Sequence, residues 1–141
     1  MQRNFPVLQN KHLVPLLEKD LTDKIIGVAI EVHRALGPGL LESAYQVCVE
    51  HESKLQKMLF EHQVEILINY KDIDLDAGYK IDLIYDKRVI VELKAVESLA
   101  AIHQAKLISY LKMTHLQLGL LINFNVPILK YGIKRVILTQ F

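Results

Sequence analysis

Two charged residues interrupt an otherwise apolar segment of the sequence. Residues 89–96 read Val-Ile-Val-Glu-Leu-Lys-Ala-Val, in which Glu92 and Lys94 are the only ionisable side chains. Such a run predicts a strand, where side chains two positions apart share a face. Glu92 and Lys94 therefore project together with Ile90. An uncompensated charge on a buried strand is costly, so this pair is the first candidate for chemistry.

A third ionisable residue, Asp82, lies on the preceding predicted strand. If a three-residue turn at 86–88 joins the two strands, Tyr85 faces Val89 and Asp82 faces Glu92. A two-residue turn would place Asp82 on the opposite face unless a bulge intervened. The three-residue turn therefore predicts that two carboxylates and one ammonium group meet on one face.

Two apposed carboxylates repel each other, and a hard divalent cation relieves that repulsion. Mg²⁺ favours sites with one or two carboxylates, water and substrate phosphate, and a neighbouring lysine can orient or deprotonate a water. The alternative interpretation is a cross-strand Glu–Lys pair on a solvated hairpin face, with Asp82 as a third surface charge. Exposed charges on hairpins are common, so spacing alone leaves this alternative open.

The elements that would position these residues follow from hydrophobic periodicity. Helices are predicted over about 20–36, 40–57 and 98–114, with Asp20 or Thr22 capping the first and Ser98 the third. Strands are predicted at 60–70, 79–85, 89–96, 118–124 and 133–139. The order ααβββαββ predicts an α/β fold, a mixed β-sheet flanked by helices. Residues 1–19 are interpreted as an N-terminal arm and residues 20–141 as a single domain.

Composition excludes several classes of protein. A chain of 141 residues with 51% hydrophobic residues can form one domain with a real core. The net charge of +1 argues against a nucleic-acid binder held mainly by bulk charge, and the single cysteine excludes a disulfide framework or cysteine-rich zinc site. The sequence shows no signal peptide and no apolar run of membrane-spanning length. We therefore expect a cytoplasmic protein without membrane contact.

Two motifs resemble known families. Asp82 followed by Glu92-Leu93-Lys94, on consecutive predicted strands, resembles the PD-(D/E)xK nuclease superfamily. The segment 31–45, EVHRALGPGLLESAY, looks like the hallmark of the GxxExxY family, a group of small bacterial and archaeal proteins placed in that superfamily; its named positions would be Gly39, Glu42 and Tyr45. Segments 91–96 and 119–124 look similar as well, and the resemblance covers about residues 20–139.

The resemblance implies roles for individual residues. Asp82 and Glu92 would bind Mg²⁺ or Mn²⁺, helped by the backbone carbonyl of Leu93, and Lys94 would be the catalytic lysine. Glu42 would supply a further acidic group, as metal ligand and catalytic residue. The alternative for Glu42 is a first-turn glutamate that meets the helix dipole.

Tyr45 is better explained as a core tyrosine with a hydrogen-bonded hydroxyl than as a catalyst. On the third helix, related nucleases often carry a glutamine four residues before a tyrosine. Here Tyr110 is in place, but the earlier position is Lys106. His103, Lys106 and Tyr110 share one helical side, and we expect them to be weak nucleic-acid contacts.

The function predicted from the sequence is metal-dependent hydrolysis of phosphodiester bonds in DNA, or in RNA. The alternative is a non-enzymatic nuclease-fold module that binds a partner or nucleic acid. A chain this small carries no separate DNA-reading domain, so we expect a homodimer or a protein partner to select the substrate.

Overall fold

A computed structural model describes residues 17–139 of the chain. Three α-helices and five β-strands follow one another in the order ααβββαββ: α1 (Lys19–Leu36), α2 (Glu42–Leu55), β1 (Phe60–Tyr70), β2 (Ile73–Tyr85), β3 (Val89–Lys94), α3 (Ala101–Thr114), β4 (Leu118–Asn123) and β5 (Ile133–Ile137), with a 3₁₀ helix, Leu129–Gly132, before β5. The strands form one mixed sheet in the spatial order β1-β2-β3-β4-β5. The predicted α/β class and element order are confirmed.

Helices cover both faces of the sheet. α1 and α2 pack on one face through a core that includes Ile25, Val28, Tyr45 and Val49. α3 packs on the other face through a smaller core built on Leu107 and Leu111, together with sheet residues such as Ile81, Ile90 and Leu121. Alternate residues of β3 serve the two cores, as the period of two in a strand requires.

β3 and β4 form the parallel centre of the sheet. All six residues of β4 are buried, and so are the first five of β3. Strands buried on both faces carry continuous apolar runs, which is the pattern seen in these two segments. Glu92 therefore lies in the most enclosed part of the sheet.

The β2–β3 connection has the register predicted from the sequence. The strands are antiparallel, with Tyr85 opposite Val89 and Leu83 opposite Val91. The joining residues include Asp86 and Lys87, both in the left-handed region at φ 51° and 55°. The three-residue turn is thus confirmed, and it brings Asp82 level with Glu92.

The β1–β2 hairpin is longer than predicted. β2 begins at Ile73 and not at residue 79, and its first eight residues are exposed. A tight turn of Lys71 and Asp72, at φ 47° and 69°, joins the strands. Neither face of this segment is buried, so the alternation of apolar and polar residues is a weak predictor of a strand there.

Several element ends differ from prediction. α1 begins at Lys19, inside the predicted arm; residues 1–16 lie outside the described residues, and the division into arm and domain stays a prediction. α2 is shorter at both ends than the predicted 40–57. α3 begins at Ala101, so Ser98 is not its cap; instead His103 Nδ1 accepts the Ala100 amide proton at 2.9 Å.

None of the helices described between residues 17 and 139 is long and apolar enough to cross a membrane.

Gly132 tests the packing of the segment that follows β4. A Cβ added there would lie 2.2 Å from the backbone carbonyl oxygen of Asn123, whereas a Cβ at Gly27 of α1 would meet nothing within 4 Å. We expect Gly132→Ala to destabilise the fold by about 1–3 kcal/mol, because the backbone at Asn123 or at residue 132 must move to make room for the added methyl group. Gly27→Ala should stabilise it by about 0.4–1 kcal/mol. Urea unfolding of both variants measures the contrast, and equal shifts would contradict this packing.

Candidate active site

Asp82 and Glu92 cross-link β2 and β3 beyond the end of their backbone ladder. The last paired residues are Leu83 and Val91. One step further, the Asp82 amide donates to Glu92 Oε1 at 3.3 Å, and the Leu93 amide donates to Asp82 Oδ2 at 2.8 Å. Each carboxyl group thus satisfies a backbone amide of the opposite strand, which fixes the two side chains against each other.

Glu92 is only 4% exposed, and its environment disfavours a charge. Burial, the charge of Asp82 and a hydrogen bond between the two carboxyl groups together raise the pKa of Glu92 from 4.5 to about 9, while Lys94 acts in the opposite direction. The direction of this shift favours a proton on Glu92, shared with Asp82, at neutral pH when no cation is bound. A cation would relieve the same repulsion in place of that proton.

Lys94 lies on the same strand face as Glu92, two residues further along β3. It is half-buried and sits opposite Asn123 of β4 in the parallel register. Its charge acts on both Glu92 and Glu42, lowering the pKa of each. The predicted grouping of Asp82, Glu92 and Lys94 is therefore present in the structure.

Glu42, the first residue of α2, extends towards the same place. Its side chain keeps contact with solvent, yet partial burial raises its pKa and so does Asp82, whereas Lys94, Lys106 and His103 lower it. These neighbours come from β2, β3 and α3, so the exposed Glu42 side chain lies on the side of α2 that faces Asp82 and Lys94. A first-turn glutamate that met only its own helix would not interact with them.

Tyr45 holds the start of α2 in this position. Its hydroxyl donates to the Gly37 carbonyl at 2.6 Å and accepts the Leu40 amide at 3.2 Å. Its buried ring stacks on Phe124, with centroids 4.5 Å apart and planes at 10°. Gly39 has φ +99°, a conformation that favours glycine. The interpretation of Tyr45 as a hydrogen-bonded core residue is confirmed.

Tyr110 of α3 closes the inner wall of the site. It is 2% exposed, and its buried hydroxyl has no hydrogen-bond partner among the described residues. Burial, together with the charges of Glu92 and Asp82, raises the pKa of Tyr110 to about 12, so the phenol stays protonated. Its position favours a role beside the acidic pair over the predicted contact with a bound strand.

The other two predicted nucleic-acid contacts lie on the rim. Lys106 is exposed, and its ammonium group lies 5.6 Å from the centre of the Tyr110 ring. His103 is half-buried and caps α3 through Nδ1, as described above. Both influence Glu42 electrostatically, which places them at the mouth of the site.

Two positioning residues were missed in the sequence. Gln46, one turn after Glu42, donates from Nε2 to the Asp82 carbonyl at 3.2 Å. Asn123 is buried and binds both the amide and the carbonyl of Val96, at 3.0 and 2.9 Å, so it holds the chain that leaves β3. The sequence feature that could have identified Asn123 is a polar amide within an apolar run. For Gln46 the sequence offers only its position one helical turn after Glu42.

The residues present fit a hard divalent cation. Asp82 and Glu92 offer carboxylate oxygens, and the Leu93 carbonyl faces the Asp82 side of β3, because the amide and carbonyl of one strand residue point the same way. Between residues 17 and 139, no three His, Cys, Asp or Glu side chains lie close enough to hold an ion together. Glu42 therefore stands outside the immediate donor set. One or two carboxylates suffice for Mg²⁺, whose remaining positions water and phosphate fill.

Comparison with known proteins identifies a family. Residues 19–136 match a family model described as the PD-(D/E)XK nuclease superfamily. The match runs from the start of α1 into β5 and includes the acidic pair. No curated protein and no solved structure matches the chain.

The shared proton predicts an unusual dependence of stability on pH. Glu92 binds a proton in the folded state up to about pH 9, whereas its unfolded pKa is near 4.5. Between these values the folded state binds more protons, so metal-free stability falls as pH rises, by at most about 1.4 kcal/mol per pH unit from this group. Urea unfolding in EDTA from pH 5 to 9 measures the slope.

Glu92→Gln supplies the control for this slope, because it keeps the shape and removes the titration. It should flatten the pH profile and become more stable relative to wild type as pH rises. Glu65→Gln, on the exposed face of β1, should leave the wild-type slope unchanged. A wild-type slope that survives in Glu92→Gln would contradict the assignment.

Proposed function

Because the chain belongs to the PD-(D/E)XK nuclease superfamily, we propose that it hydrolyses phosphodiester bonds, in DNA before RNA, with Mg²⁺ or Mn²⁺ as cofactor. The observation that carries the proposal is the cross-linked pair of Asp82 and Glu92 at the end of the β2–β3 ladder, with Lys94 on the same face. On an ordinary hairpin surface these charged side chains would be exposed to solvent, whereas here Glu92 is buried next to Asp82.

Asp82, Glu92 and the Leu93 carbonyl would hold the cation. When bound, the ion supplies Lewis-acid stabilisation of the charge that develops on the phosphate. Before that, Glu92 must release the proton that it shares with Asp82, because metal ligands bind in the deprotonated form. Cross-strand hydrogen bonds keep the two carboxyl groups aligned throughout.

Lys94 orients the attacking water and a phosphate oxygen through its ammonium protons. Glu42 lies near Asp82 and Lys94, and its raised pKa makes it a better proton acceptor than a free glutamate. It would receive a proton from the water or hold a second water in place. Tyr110 is protonated, and its hydroxyl has no hydrogen-bond partner among the described residues, so it can donate to a water beside the acidic pair.

We also propose that the chain belongs to the GxxExxY group. The support is that each residue of the Gly39, Glu42 and Tyr45 pattern has a separate part in the site. Gly39 allows the turn, Tyr45 holds the turn against the core, and Glu42 interacts with Asp82 and Lys94. A homodimer or a protein partner would then provide substrate selection, since the domain itself is small.

A second candidate function is nucleic-acid binding without cleavage. The observation that favours it is Lys106 in place of the expected glutamine, at the mouth of the site, where a cation attracts phosphate without positioning a water. Incubation of supercoiled, linear and single-stranded DNA with Mn²⁺, beside an EDTA control, separates the two. Cutting supports hydrolysis, and retardation without cutting supports the binder.

Lys94→Ala tests the proposed lysine role. We expect cleavage to fall about 100-fold or more, in the range of lost acid–base and positioning groups. The metal-induced rise in melting temperature should largely remain, because a charged lysine has no lone pair for the ion. Lys134→Ala, at the exposed position of β5, is the matched control and should cleave like wild type. Cleavage by Lys94→Ala at the wild-type rate would exclude this role.

Asp82→Asn tests where the cation binds. Without metal it should melt at or above the wild-type temperature, because the substitution removes the negative charge that Asp82 places beside the buried Glu92. Wild type should gain about 2.7 kcal/mol at a hundredfold excess of Mn²⁺ over its Kd, and the variant should lose most of that gain. Asp74→Asn, on the exposed part of β2, controls for surface charge. Equal metal-induced shifts in wild type and Asp82→Asn would mean that the ion binds elsewhere.

A further inference from the structure

An open groove runs between the β1–β2 hairpin and α3. Its volume is about 460 Å³, within the range of roughly 300–1,000 Å³ typical of small-ligand sites. Its walls are mostly apolar; the hairpin contributes Ile68 and Tyr79, and the helix contributes Ile102, Ser109 and Met113. None of the elements described between residues 17 and 139 fills it.

The groove adjoins the candidate active site. Tyr110 and Lys106 line it. Tyr110 also interacts with Glu92 and Asp82, and Lys106 interacts with Glu42. Tyr79 makes an edge contact with Tyr110, with ring centroids 6.4 Å apart at 68°. Tyr110 therefore contacts Tyr79 in the groove and interacts with the acidic pair, so it links the two places.

The groove offers apolar and aromatic surface beside a positive charge. Tyr79 is 42% exposed and Ile102 is 69% exposed, so both offer apolar surface to a ligand. Lys106 is exposed, and its ammonium group lies 5.6 Å from the centre of the Tyr110 ring. A ligand in the groove would therefore meet an open aromatic ring and a cation.

We propose that this groove holds one unpaired base of a DNA strand whose neighbouring phosphate lies at the acidic pair. The inference rests on the proposed function and narrows its substrate to single-stranded or unpaired DNA. A phosphodiester at Asp82 and Glu92 is flanked by bases on both sides, and one of them meets Tyr79. A base stacks on an aromatic ring only when it has left its own stack, and Lys106 compensates the strand's phosphate charge.

Binding of two hexamers tests the base contact directly. The probes are fluorescein-labelled hexathymidylate and a hexamer of abasic tetrahydrofuran units, which keeps the phosphates and lacks the bases. Anisotropy in EDTA prevents cleavage. Tyr79→Leu should weaken binding of hexathymidylate roughly 5- to 150-fold, the range that corresponds to 1–3 kcal/mol for one stacked base, and leave binding of the abasic hexamer unchanged.

Tyr70→Leu is the matched control. Tyr70 lies near the hairpin turn, is 60% exposed and does not line the groove, so its replacement should change neither affinity. Circular dichroism melts of both variants exclude unfolding. Three results would overturn the proposal: wild type that does not prefer hexathymidylate, equal losses for both hexamers in Tyr79→Leu, or equal effects of Tyr79→Leu and Tyr70→Leu.

Cleavage of a longer single strand with Mn²⁺ is measured in parallel. Base-selective binding lost in Tyr79→Leu, without cleavage by wild type, supports the groove and rejects hydrolysis. Cleavage by wild type, with unaltered hexamer binding in Tyr79→Leu, supports hydrolysis and rejects the groove. An apolar peptide as the true occupant would give this second pattern, or no preference for bases.

Discussion

The exchange of hydrogen bonds between two carboxyl groups and two backbone amides is the contact on which the site depends. Where the β2–β3 ladder ends, Asp82 and Glu92 each accept an amide proton from the opposite strand. The strands are thus tied together by the same groups that would hold the cation. Removing either side chain therefore leaves an amide without its partner as well as changing the charge.

Much of this arrangement is predictable from short-range rules. The period of two in β3 and a three-residue turn suffice to align Asp82 with Glu92. Glu42 could be proposed only because Gly39, Glu42 and Tyr45 resemble the pattern of the GxxExxY family. What could not be predicted depends on contacts between distant segments. The hydrogen bonds from Gln46 to Asp82 and between Asn123 and Val96 join segments that are distant in sequence. The buried hydroxyl of Tyr110, without a partner among the described residues, can be recognised only in the folded structure.

The two halves of the fold contribute differently to function. The central strands are buried and fixed, so they hold the acidic pair in one geometry. The α1–α2 turn is held by a single tyrosine that stacks on Phe124 at the end of β4. The position of Glu42 therefore depends on the end of β4. Asn123 of the same strand holds the chain that leaves β3, so β4 positions two parts of the site although it contributes no ionisable group.

The shape of β1 has a consequence for how copies of the chain can meet. Among residues 17–139, β1 forms an edge of the sheet, and a straight edge of eleven residues would favour pairing with another strand. Its backbone is interrupted twice, by left-handed Gln63 at φ 47° and by the irregularity between Ile66 and Ile68. Each remaining stretch is too short to template a long intermolecular ladder. Extension of the sheet through β1 is thereby disfavoured.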